Sequence, residues 1–414
     1  MGAWQERNFR LLFIGQTVSS LGNTLVPVAL AFGILDLTGS ASDFGYVLGA
    51  GALAQVLFML AGGVIADRVS RRALMMAADA ARCAAQLVLG VLLLAGHPAV
   101  ATLAGLNAVV GIAGALFQPA SSGLLPALVR PEHLQQANAL QQTSSAGAGI
   151  AGPAVAGLLV VTVGPGWGII ANAVTFAVSV ILLAQLRLAR VLRPERSRWI
   201  RDLREGWQDF WARRWFRSVV LTFSAINLIY AAYQVLGPVA SKRYYHGAGS
   251  WAIIATAAAA GSVLAGLPAI RLRPRYPLRV AVLSGLMIGL PALAFAASLP
   301  LPVIAVAAAL DGAGLVVCES LWQTSVQRHI PDELLSRASS YDYVGSFAAV
   351  PAGLAVAGPV MGVLGLRPEL LAVGGLSVLL TAGMLLLPSV RDLRDTPDHP
   401  DPDTPNPVGS AHGA

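Results

Sequence analysis

The sequence predicts an all-α membrane protein with twelve transmembrane helices in two parallel six-helix repeats. Apolar runs long enough to span a bilayer recur along the chain, the cations sort to one side of those runs, and the second half echoes the first. Of 414 residues, 56% are hydrophobic and only 12% charged, where soluble domains carry about 25% charged residues. Mean hydropathy is +0.66.

A spanning helix needs about 20 mostly apolar residues. Charged or Gly/Pro-rich breaks divide the first half into spans at 9–35, 41–66, 73–95, 100–125, 137–161 and 166–188. The second half gives spans at 216–239, 251–270, 278–297, 302–326, 340–363 and 368–387. Each must be a helix, because an open strand leaves backbone groups unpaired in hydrocarbon. With the N-terminus in the cytoplasm, every Arg and Lys falls on the cytoplasmic side except Lys242, Arg243 and Arg367 outside and Arg82 within a span. The positive-inside rule then places both termini in the cytoplasm and the chain as a multi-pass protein of the cell membrane. The net charge of +7 follows from that topology, so no nucleic-acid partner is expected. No cleavable signal is expected, since the polar N-terminus leads into a first span too long for an h-region. Glu6 occupies the position where a myristoylation signal has Ser or Thr. Cys83 and Cys318 both fall in spans and read as packing residues.

The expected domains are a six-helix bundle at 1–188, a cytoplasmic linker at 189–215, a second bundle at 216–390 and a disordered cytoplasmic tail at 391–414. In the linker, Trp199, Leu203, Trp207, Phe210 and Trp211 recur at helical spacing among arginines, a pattern suited to an amphipathic helix on the inner leaflet. The tail, rich in Pro and Asp, cannot bury a core. The repeat shows in VRPEHLQQANAL from Val129 and HIPDELLSRASS from His329. Pro131 matches Pro331, Glu132 matches Asp332 and Leu134 matches Leu334, each segment joining a fourth span to a fifth. Parallel repeats of this kind build many transporters.

The loop between spans two and three reads GGVIADRVSRR from Gly62. It resembles the signature of the major facilitator superfamily, Gly then three residues then Asp-Arg-x-Gly-Arg-Arg. Gly63, Asp67, Arg68, Arg71 and Arg72 match, and Ser70 replaces the usual Gly. The stretches LLPALVRPEHLQQANAL, GPAVAGLL and LWQTSVQRHIPDELLSRASS are similar to the drug and siderophore exporters of that superfamily. The resemblance implies the major facilitator fold and a gating role for this loop. Asp67 would meet the start of span eleven near Ser339 and Ser340, and Arg71 and Arg72 would pair with Asp342 or anionic headgroups. In span five, Gly149, Gly152, Pro153 and Gly157 resemble an antiporter motif, with Ala156 in place of its penultimate Gly. Close helix packing explains the same residues. Two family features are replaced: Asn107 stands where a span-four Arg is common, and Gly22-Asn23 where a span-one acid is.

Ionisable groups inside a membrane are costly and default to function. Asp79 and Arg82, three apart on span three, suit an ion pair, structural or functional. Asp311, near mid-membrane on span ten, suits a group that loads and releases a proton, and Glu319 shares its broad side nearer the cytoplasm. Asp311, Glu319 and Asp79 are the proton-coupling candidates. In the superfamily, spans one, four, seven and ten line the central cavity. The resemblance therefore places there Gln16, Ser20 and Asn23; Asn107 and Gln118; Asn227, Tyr230 and Gln234; and Trp322. Amides and aromatics with few charges suit a mid-sized, partly apolar small-molecule substrate. The expected function is proton-coupled efflux of such a drug-, antibiotic- or siderophore-like molecule by alternating access, with an uptake symporter or uniporter as the alternative. No enzyme is expected, because no His, Cys or Asp cluster has catalytic or metal spacing, and no cofactor or P-loop is read. The expected state is a monomer in the lipid bilayer, with protons as the coupled ion.

Overall fold

A computed structural model describes residues 2–96, 98–186, 213–269 and 271–393. The predicted linker helix and nearly all of the predicted tail lie outside the described residues. Among the described residues, twelve spans are long and apolar enough to cross a membrane. The first six are helices α1 (Arg7–Thr38), α2 (Ala41–Arg68), α3 (Arg71–Ala95), α4 (Val100–Leu124), α5 (Leu134–Thr162) and α6 (Pro165–Ala184). The second half begins with α7 (Arg214–Tyr244) and α8 (Ala248–Ala269). Its ninth span is divided into α9 (Pro277–Gly285) and α10 (Leu290–Ala296), and α11 (Leu301–His329) is the tenth. The eleventh is carried by α12 (Asp332–Phe347) and α13 (Val350–Leu364), and the twelfth by α14 (Leu366–Gly383). Alternating spans return both chain ends to one face, termed the terminal face; the other is the distal face.

Local chemistry sets several boundaries. Gly39 closes α1 in the left-handed conformation at φ 67°. The Ser40 hydroxyl accepts the Asp43 N–H at 3.1 Å to start α2, and the Ser70 hydroxyl accepts the Ala73 N–H at 3.3 Å to start α3.

Spans nine and eleven depart from the single helices expected. Gly289 adopts φ 97°, a conformation that ends one helix and redirects the next. A side chain there would also press on the Gly374 backbone of α14. In span eleven the interruption precedes Pro351, which has no N–H to continue the ladder.

The repeat is visible as matched close crossings. Between α2 and α4, a Cβ on Gly62 would collide with the Ala115 carbonyl, and one on Gly111 with that of Gly51. Between α8 and α11, Gly261 meets the Ala309 carbonyl and Gly312 that of Ala258. Lipid gives apolar side chains no reason to leave it, so close backbone approach carries helix association.

The halves join at the distal face. There α2 crosses α13, with Gly45 beneath the Leu354 carbonyl, and α5 crosses α8, with Gly157 against Ala252. One core containing Leu30, Ile34, Phe44, Leu236, Ala240 and Leu354 spans both halves. Lys242 Nζ reaches across to Asp36 at 2.5 Å and donates to the Leu35 carbonyl at 2.6 Å. Toward the terminal face the cores are separate: Phe9, Leu12, Met75 and Leu124 in the first half, Phe216, Val220, Trp322 and Val326 in the second.

Gly111→Leu and its counterpart Gly312→Leu should each cost about 1–3 kcal/mol by overpacking. A lowered melting temperature in detergent reads this. Gly149→Leu, which meets open space, should leave that temperature unchanged.

Candidate functional site

A cavity of about 360 Å³ opens in the second half among α7, α9, α11, α12 and α14. Phe223, Trp322, Tyr343 and Phe347 supply its aromatic wall, and Asn227, Glu319, Gln323 and Asp342 its polar groups. Trp322 anchors it. The indole is 1% exposed and stacks on Phe216 at 5.6 Å between centroids, with Trp215 and Phe223 packed edge-on. Its Nε1–H donates to Asp342 Oδ2 at 2.9 Å, and the Ser346 hydroxyl donates to Oδ1 at 3.3 Å. Asn227 Nδ2 donates to the Ser346 carbonyl at 3.0 Å. Glu319 is exposed; one of its oxygens accepts from Gln323 Nε2 at 2.8 Å.

Asp311 lies deeper in α11 and is 3% exposed. Its Oδ2 accepts the Tyr230 hydroxyl at 3.0 Å from α7, and its Oδ1 accepts the Gly289 N–H at 3.1 Å from the break in span nine. Breaking the helix frees the Gly289 N–H, and the carboxylate satisfies it, as buried donors require. Ile288, the preceding residue, lines the cavity. The break therefore ties the cavity wall to Asp311.

The first half spends its polar groups differently. Asp79 Oδ1 pairs with Arg82 at 3.2 Å, and its Oδ2 accepts the Ser179 hydroxyl at 2.6 Å, with Asp79 fully buried. The Arg82 guanidinium lies over Phe117 at 4.8 Å and Phe176 at 5.3 Å. The cluster joins α3, α4 and α6. Gln16 links three helices, donating to Ser121 Oγ and accepting from Gln141 Nε2, each at 2.5 Å. Asn107 donates to the Val47 carbonyl at 2.8 Å, so it binds α4 to α2. Ser20 is half-buried, while Asn23, Gln118 and Gln234 are exposed. Of the nine residues expected around a central cavity, Asn227 and Trp322 line this pocket.

The loop arginines bond to helix ends of the first half. Arg71 donates to the Gly123 carbonyl at the end of α4. Arg72 donates to the Leu183 carbonyl at 2.9 Å and to that of Ala184, closing the end of α6. Both sit where a cation meets the negative end of a helix. In the described state both arginines bond within the first half. The side chains of Asp67, Arg68 and Ser340, and the surroundings of Gly63, lie outside the described residues. In α5, Gly152 packs on Thr24 of α1 and Gly157 on Ala252 across the halves, so those two glycines are contact points; Pro153 lies within the same helix. Sequence reasoning passed over Asp342 as a cavity group. The available signal was an acid four residues before Ser346 at the start of a span.

Two repeated helical bundles joined at one face, with a pocket between helix ends, define a membrane transporter. A family model described as Major Facilitator Superfamily matches residues 12–353, and the chain belongs to that family. It is 29% identical over 418 residues to the multidrug efflux pump Tap of Mycobacterium tuberculosis, covering 97% of each chain. It is 24% identical over 398 residues to macrolide efflux protein A of Streptococcus pyogenes, covering 93% of this chain and 96% of that one. Among solved structures it is similar to a bacterial homolog of the human lysosomal transporter Spinster in an inward-facing, unoccupied conformation. That likeness has a TM-score of 0.72 at 16% identity, over 94% of this chain and 98% of that one. The nucleoside transporter NupG gives 0.72 at 12% identity, over 91% and 98%.

Asp79→Asn should leave Arg82 buried without its counter-charge, at a cost of about 3–5 kcal/mol. Thermal unfolding in detergent checks this, and adding Arg82→Gln should recover much of the loss.

Proposed function

We propose that the chain exports a mid-sized, partly apolar small molecule across the cell membrane in exchange for protons, by alternating access. The observation that carries this is the unequal joining of the halves: one core seals the distal face, while separate cores flank the terminal face. The arginine distribution makes the terminal face cytoplasmic. On that reading both termini are cytoplasmic and the described state opens inward, ready to load from the cell. The relatives named as efflux pumps support the outward direction. One chain encloses the pocket, which suits a monomer.

Asp311 is the proton site of this mechanism. As a carboxylate it accepts from both Tyr230 and Gly289. A proton on either oxygen turns an acceptor into a donor and weakens one of those bonds. The break in span nine then shifts, and with it Ile288 in the cavity wall. Asp79 is a structural group here, held by Arg82 and Ser179. The loop arginines serve the opposite state, in which Arg71 and Arg72 leave their helix ends as the terminal face closes.

In proteoliposomes an interior-acid gradient should drive accumulation of a radiolabelled macrolide or another antibiotic, and an interior-alkaline gradient should not. A symporter reverses the pair, and a uniporter ignores both. Asp311→Asn should reduce uphill accumulation to the level of protein-free vesicles while solute exchange persists. Parental accumulation by that variant refutes the proton assignment.

A further inference from the structure

The buried face of α14 is apolar except at three positions. Leu366, Leu370, Val373 and Gly374 share it with Glu369, Ser377 and Thr381. Glu369 is 4% exposed, Ser377 0% and Thr381 3%. Glu369, Val373, Ser377 and Thr381 recur every four residues, so they form one stripe along the helix. We propose that Glu369 takes up the proton supplied from the distal side and passes it by way of Ser377 to Asp311. This rests on the proton-exchange reading above and adds to it a donor and a route.

Two atoms of the stripe are unsatisfied. Glu369 Oε2 and Ser377 Oγ are buried and have no hydrogen-bond partner among the described residues. Buried polar groups are nearly always paired, so each such orphan calls for a reason. Packing alone gives none for Glu369, since a leucine fills space without the cost of burying a carboxyl. The helices packed on α14, which are α7, α9, α10 and α13, bring it no counter-charge. α10 and α13 contain no titratable residue. On α7, Lys242 is taken by Asp36 and Tyr230 by Asp311. Arg243, together with Arg367 of α14, lies over the Tyr244 ring. Tyr233 packs on Trp251 and Phe295, and Tyr245 donates to the Leu299 carbonyl at 2.6 Å. Arg217 and Arg279 stand at the terminal ends of α7 and α9. With the distal face sealed, Glu369 is tolerated with its proton; ionised, it needs water from the distal side.

Ser377 stands at the inner end of the route. Its Cβ is 3.1 Å from where a Cβ on Gly289 would fall, and the Gly289 N–H donates to Asp311 Oδ1 at 3.1 Å. Ser377 therefore lies beside the break to which Asp311 is bound. Thr381, one turn further, lines the cavity. Eight residues of helix separate Glu369 from Ser377, about 12 Å. About three waters at hydrogen-bond spacing bridge that gap. Glu369 is in the first turn of α14, at the distal face, so opening of that face admits them. Water on the distal side first gives a proton to the Glu369 carboxylate. The Glu369 O–H then breaks as waters and the Ser377 hydroxyl hand a proton to the Asp311 carboxylate. A second proton from the distal side neutralises Glu369 before the face seals.

Infrared spectra of the purified full chain at neutral pH should contain a carboxylic-acid C=O band that shifts in heavy water and is lost in Glu369→Gln, a change that removes charge but not bulk. In vesicles, Glu369→Gln should slow proton-driven accumulation by about a hundredfold or more while solute exchange persists. Its residual rate should no longer follow the pH on the distal side, and Glu369→Asp should recover that dependence. Ser377→Ala should slow the same step, and Ser377→Thr, which keeps the hydroxyl, should not. A spectrum unchanged by Glu369→Gln, or parental accumulation in that variant, overturns the proposal. If the parent chain moves solute without regard to pH, the exchange reading falls. The infrared band needs no transport: its presence then still supports Glu369 as a distal proton site, and its absence overturns that as well.

Discussion

Close backbone contact between the halves at the distal face is the constraint on which the remaining structure depends. Gly45 under the Leu354 carbonyl and Gly157 against Ala252 bring α2 to α13 and α5 to α8. The two crossings are counterparts in the repeat, so one geometry made twice closes that face. Small residues make this possible where lipid offers no hydrophobic drive for association. Leu30, Ile34, Phe44, Leu236 and Leu354 fill the space around these crossings. The Lys242–Asp36 contact adds an exposed ion pair of modest worth at the rim.

The buried charges follow a second logic. Among the described residues, three buried aspartates are committed to partners: Asp79 to Arg82 and Ser179, Asp311 to Tyr230 and Gly289, Asp342 to Trp322 and Ser346. Only the first has a counter-charge beside it among these partners. Asp311 and Asp342 accept from neutral donors, so either can gain or lose a charge without stranding a buried cation. That difference separates a group that holds the fold from groups suited to a transport cycle. The first half is cross-braced by Gln16, Asn107 and the Asp79 cluster, and the second holds the cavity beside Trp322.

Much of this was legible in the sequence, because span length and hydropathy are local properties of the chain. Twelve spans and the repeat at Val129 and His329 could be read directly, as could the buried acid Asp311. What could not be read is how each helix turns about its own axis. Asn107 and Gln118 share a stripe by periodicity, and only the structure shows that Asn107 binds the Val47 carbonyl while Gln118 is exposed. Tyr230 lies on the expected side of α7 but is taken by Asp311. The break at Gly289 was hidden because glycine and proline are ordinary within membrane helices, and the apolar run around them is continuous. Its cause is tertiary, a contact with Gly374 and a carboxylate two helices away in sequence.

The central claim is that the two faces open and close in opposition about the distal joint. Double electron–electron resonance on chains freed of Cys83 and Cys318 measures this directly, with one label pair on Ser122→Cys and Gln327→Cys at the terminal ends of α4 and α11, and another on Val163→Cys and Ile253→Cys at the distal face. Under acid conditions, with Asp311 protonated, the account predicts that the terminal pair shortens while the distal pair lengthens. Distances that stay fixed, or that change in the same direction, contradict it.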